Sequence, residues 1–230
     1  MSISVDLFLV VLSRIILLSI NSIYLFHKWY RAPRHYFSDF PFLMGVSFLA
    51  LTISKFFDIA LWNLFINEPL ESQYELGRPE MPLGYARWLF MIAVMAPLLY
   101  ANLCVWLSEQ KRLRGLIIFT YSLTFTIIIL QAKCFADLNA LIIWILLPVA
   151  VITIVTFLFT YLQKRLPGVH GLLISLGWLG YVITTGIRPL FIRIGFVSIA
   201  EILDMLMWVV IFLGFVLKPP YARLCKISSP

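Results

Sequence analysis

Seven stretches of the chain are predominantly apolar, near residues 4–26, 40–66, 83–107, 115–132, 139–162, 169–189 and 196–217, with short polar connections between them. A hydrocarbon core of about 30 Å needs roughly 20 such residues as a helix. No stretch alternates apolar and polar residues with the two-residue period of a membrane β-strand. A helix also satisfies its own backbone hydrogen bonds in lipid. The pattern predicts an all-α polytopic membrane protein, with seven transmembrane helices forming a single domain over residues 1–230. Pro97 and Pro148 fall inside the third and fifth helices, where each removes a backbone hydrogen bond and bends its helix. Gly177 and Gly180 in "SLGWLGY" allow close helix contact on the sixth. The first stretch has no basic segment before it and exceeds the apolar core of a signal peptide, so it reads as a helix of the mature protein.

Composition agrees: 62% of the 230 residues are hydrophobic and 13% charged, against about 25% charged in soluble domains. Charge then sets orientation. The first connection carries Lys28, Arg31 and Arg34, the third Lys111, Arg112 and Arg114, the fifth Lys164 and Arg165, and the C-terminal segment Lys218, Arg223 and Lys226. The opposite connections hold Arg78, Lys133 and Arg193, with Arg87 and Arg188 close to that edge. Basic residues concentrate on the cytoplasmic side, so the N-terminus is expected outside and the C-terminus inside, in a plasma membrane. The net charge of +7 follows from this topology and from contact with the lipid bilayer; a nucleic-acid partner is not needed to explain it.

Polar residues inside the apolar runs carry the functional interest. In "LTISKFFDIALW", Lys55 and Asp58 stand three apart near the middle of the second helix and share one face. Arg14 lies near the centre of the first helix, Arg188 in the outer turn of the sixth, and Glu201 and Asp204 in the outer part of the seventh. A charge at the bilayer centre costs at least about 2.5–3.5 kcal/mol, so these three bases and three acids are expected to pair across the first, second, sixth and seventh helices. That polar network either fixes helix order or lines an outward-opening site. Trp62 and Trp208 follow Asp58 and Asp204 by four residues, and Tyr181, Thr184 and Thr185 lie near the Arg188 face; these are the expected pocket lining. An aromatic ring beside a carboxylate can hold a cationic group.

Other chemistry lacks its signature. His27, His35 and His170 fall at the inner edge without helical HxxxH spacing, so neither a metal site nor a haem is expected. No HExxH, GxSxG or glycine-rich phosphate loop occurs. The seventh helix has no central lysine for a retinal Schiff base. Cys104, Cys134 and Cys225 fall at different depths, which argues against disulfides. No catalytic residue and no cofactor is expected.

The loop from Asn67 to Pro82 is acidic, with Glu68, Glu71, Glu75 and Glu80 against Arg78, and its "ESQYEL" segment has room for one helical turn. After the seventh helix only "KPPYARLCKISSP" follows, too little for a signalling domain. Three functions fit. One is a non-enzymatic sensor or receptor-like module that binds a small ligand or partner in an outward-facing polar pocket and signals through its basic inner loops to another membrane or cytoplasmic protein. The second is an accessory subunit of a larger membrane complex. The third is a transporter of small solutes or ions, although the inner halves of the helices offer only scattered Asn21, Asn102, Thr156 and Thr160 for a through-path.

Overall fold

The computed structural model describes residues 5–34, 36–65, 70–194 and 196–222. Seven α-helices follow one another: α1 (Val5–Tyr30), α2 (Phe40–Phe65), α3 (Met81–Trp106), α4 (Lys111–Gln131), α5 (Phe135–Leu162), α6 (Gly171–Arg193) and α7 (Val197–Val216). Each is long and apolar enough to cross a membrane. A short 3-10 helix at Leu70–Tyr74 occupies the α2–α3 connection, overlapping the "ESQYEL" segment that had room for a helical turn and starting one residue before it.

Helix ends differ from the apolar runs where polar residues continue the helix. α4 begins at Lys111, ahead of its apolar run, because lysine and arginine are strong helix formers despite their charge. α5 begins at Phe135, where the Asp137 carboxylate accepts the N–H of Lys133 at 3.0 Å and places negative charge at the helix start. α6 continues through Pro189 to Arg193; a proline costs it one backbone bond without ending it.

The chain forms two compact units, Met1–Val149 and Ala150–Pro230, with the boundary inside α5 just after Pro148. In the first unit α1, α2, α3 and α4 pack in sequence order, each against the next. Its core includes Ile15 and Leu18 from α1, Met44 and Phe48 from α2, and Trp88 and Met95 from α3, all buried. The Ser22 hydroxyl donates to the Gly45 carbonyl at 2.9 Å, which sets the register of α1 against α2. Phe57 stacks on Phe90 with centroids 5.5 Å apart, which does the same for α2 and α3.

In the second unit α6 packs along α7. A Cβ on Gly177 would lie 2.5 Å from Cγ1 of Ile211 and 3.0 Å from its backbone nitrogen, so the two helices meet there backbone to backbone. At the other end of the pair the His170 amide donates to the Gly214 carbonyl at 2.7 Å. The His170 ring stacks on Tyr161, and Tyr161 in turn packs against Tyr221.

Candidate functional site

Each unit buries an ionic cluster, and each cluster lies toward one end of its helices. In the first unit the cluster is built on Asp58. Lys55, one turn before it on α2, reaches one carboxylate oxygen, and the Nε of Arg87 on α3 reaches the other. Lys55 and Asp58 are both buried. The Arg87 side chain keeps 22% of its surface exposed, and its guanidinium carbon sits 5.0 Å from the Trp88 ring centroid. Asp58 therefore accepts two charge-assisted bonds, one from Lys55 within α2 and one from Arg87 that joins α2 to α3. Arg14 is fully buried on α1. Following the α1–α2 register back from Ser22 and Gly45 places it level with the α2 turn that leads to Lys55.

In the second unit Arg188 of α6 spans two carboxylates of α7. Its Nη2 pairs with Glu201, and its Nη1 donates to Oδ2 of Asp204 at 3.2 Å. Glu201 and Asp204 lie one turn apart, so one guanidinium can reach both. The Thr184 hydroxyl, one turn before Arg188, donates to the remaining Asp204 oxygen at 2.5 Å. Both carboxylates are 1% exposed, against 20% for the Arg188 side chain. Beside Asp204 stands a buried aromatic group. Trp208 lies 4.9 Å from Tyr181 and 5.5 Å from Trp178, measured between ring centroids.

The structure thus joins Lys55 to Asp58, and Arg188 to Glu201 and Asp204. Tyr181 and Trp208 pack together, whereas Thr185 is half-buried and makes no hydrogen bond to the cluster. The side chain of Trp62, expected in the pocket lining, lies outside the described residues. Two contributors escaped the sequence reading. Arg87 has the signal of a cation about two turns inside an apolar helix, but its position near the helix edge read as interfacial. Trp178 stands three residues before Tyr181 and so shares its face.

No group of His, Cys, Asp and Glu among the described residues has metal-binding geometry. Of the histidines, His27 is exposed and His170 is stacked on Tyr161, while His35 lies outside the described residues. Cys104 and Cys134 are free thiols, and Cys225 lies outside the described residues. Comparison with protein-family models, with curated proteins and with solved structures finds no match to this chain. Function must therefore be argued from the clusters themselves. Their chemistry is ionic: buried carboxylates hold partly exposed guanidinium groups from neighbouring helices.

Proposed function

We propose that the chain is a non-enzymatic, receptor-like membrane module that recognises a small ligand or partner through these ionic clasps. Its output passes through the basic loops to a separate protein. The distribution of lysine and arginine supports a topology with the α2–α3 and α6–α7 connections outside and the basic connections inside. Each clasp then faces outward, in a plasma membrane, at the shallow end of its helices.

One observation carries this reading. In both clasps the carboxylates are almost wholly buried, while the arginine that ties them to the next helix is about one-fifth exposed. An incoming anionic group, or the carbonyl of a neutral ligand, can reach Arg87 or Arg188 and compete for its N–H donors. Every donor it takes weakens a helix-to-helix bond, α2 to α3 in one unit and α6 to α7 in the other. Binding energy is thereby converted into a change in helix packing, which requires only that the ligand favour the loosened state.

A second reading, an accessory subunit, draws support from α4. Among its described residues only Arg114 and Ile129 are buried, which leaves an apolar helix free for a neighbouring chain as well as for lipid.

The receptor reading is tested by side-specific labelling. In a chain whose own cysteines are replaced by serine, a membrane-impermeant maleimide applied to intact cells should label Leu76→Cys and leave Lys111→Cys unlabelled. The reverse pattern would place the clasps on the cytoplasmic side and rule the reading out.

A further inference from the structure

The first four residues of α4, Lys111 to Arg114, include three cations. Lys111 and Arg112 are exposed, whereas Arg114 is 7% exposed. The Arg114 guanidinium carbon lies 5.5 Å from the Tyr100 ring centroid on α3, and the group sits beside the Cys104 thiol one turn further along that helix. Among the described residues Arg114 forms no ion pair, and its Nε is buried without a hydrogen-bond acceptor. Glu109, the acid of the α3–α4 turn, is exposed and pairs with none of the three cations. The Cys104 thiol is a weak, neutral partner for this group, and a buried guanidinium with no counter-charge and an unsatisfied Nε is disfavoured unless something from outside the chain supplies an acceptor.

The surroundings all favour an anion. The backbone amides of Arg112 and Leu113 have no backbone acceptor. Gln110, at the N-cap, contributes no side-chain cap. The start of a 21-residue helix presents these free N–H groups together with the positive end of its dipole. Side chains in a helix lean toward its N-terminus, so Arg114 is directed back at this same corner. Free amides, a planar guanidinium and two further cations together exceed what the two oxygens of a carboxylate can satisfy. They suit the several acceptor oxygens of a phosphate.

α4 also indicates where such a phosphate comes from. Leu116, Phe119, Leu123 and Ile127, spaced three or four apart, form one stripe that runs away from this corner. They are 60%, 64%, 47% and 47% exposed. Acyl chains attached to a phosphate at the helix start would lie along that stripe. We propose that the α3–α4 corner is a phospholipid site, with the headgroup phosphate held by Arg114, Lys111, Arg112 and the first-turn amides of α4, and with the acyl chains against the exposed stripe. An anionic headgroup is preferred, because a zwitterionic one returns a positive charge to a corner that already has three. This site shares no residue with either clasp and does not depend on how they function.

The test uses the full chain in detergent, titrated with phosphatidylglycerol or phosphatidylcholine and weighed intact by native mass spectrometry. The wild type should retain one phosphatidylglycerol per chain in preference to phosphatidylcholine. Loss of each cation should weaken that retention about fivefold, so Lys111→Gln/Arg112→Gln should lose it markedly with helicity unchanged. Arg114→Gln should remove the preference altogether; if that variant fails to fold, the exposed double variant decides the matter. Inorganic phosphate serves as the second arm and should displace the lipid only at concentrations far above it. Undiminished phosphatidylglycerol retention in the double variant would overturn the proposal. So would inorganic phosphate binding to a chain that retains no lipid, which would make the corner a soluble-anion site.

Discussion

Asp58 of α2 and Arg87 of α3, 29 residues apart in sequence, meet as an ion pair in which the carboxylate is buried and the guanidinium is partly exposed. Lys55 holds the other carboxylate oxygen, so Asp58 is the shared acceptor of two cations. That sharing makes it the least replaceable member of its cluster.

Asp58→Asn should destabilise the chain by about 3–5 kcal/mol, because it leaves two cations without their common counter-charge. Lys55→Met alone should cost less, since Arg87 still serves Asp58. Equilibrium unfolding in mixed micelles, followed by tryptophan fluorescence, measures both. Equal costs would show that Arg87 contributes nothing to holding Asp58.

Arg188 spans Glu201 and Asp204 with its two terminal nitrogens, a geometry that a single ammonium cannot reproduce. Arg188→Lys should be less stable than the wild type and more stable than Arg188→Met, which leaves two carboxylates buried without their cation. Unfolding midpoints of the three chains check this order. A lysine variant as stable as the wild type would contradict the bridging role.

The Thr184 hydroxyl completes the Asp204 acceptor set at 2.5 Å. Thr184→Val keeps the shape and removes the bond, with an expected loss of about 1–3 kcal/mol because a buried charged acceptor loses one of its donors. In an Asp204→Asn background the same substitution should cost less. A double-mutant cycle measures that difference, and strict additivity would show that the two groups are not coupled.

Gly177 and Gly180 face α7 with different neighbours. A Cβ at Gly177 meets the backbone of Ile211, whereas at Gly180 it meets the sulfur of Met207. A methionine side chain can move aside and a backbone cannot. Gly177→Ala should therefore cost about 1–3 kcal/mol, and Gly180→Ala distinctly less. Unfolding midpoints decide between them, and the reverse order would contradict the packing of α6 on α7.

The helices were legible in the sequence because crossing a membrane demands a run of apolar residues that is hard to disguise. Their ends were less so. Lys111–Arg114 begins α4, yet its charge separates it from the apolar run that marks the rest of the helix. Lys55 and Asp58 could be paired from spacing alone, since three residues on a helix fix proximity. Glu201 and Asp204 could be placed on one face for the same reason. Arg87 could not be assigned to Asp58, because that contact depends on the register between α2 and α3, which Phe57 and Phe90 help to set and which no local pattern encodes. Arg114 was legible as a loop cation that helps set orientation. Its burial against Tyr100 appears only when α4 packs on α3.

The central claim is that the partly exposed arginines of the two clasps receive a ligand or partner. Gentle extraction from the native membrane, followed by native mass spectrometry of the intact particle, tests it most directly. The expected result is a 26.6 kDa chain that retains a non-lipid small molecule or a second polypeptide, and loses it in a folded Arg87→Gln or Arg188→Gln chain. A chain that carries only lipid, or whose bound mass is unchanged in both variants, would contradict the claim and leave the clasps as scaffolding alone.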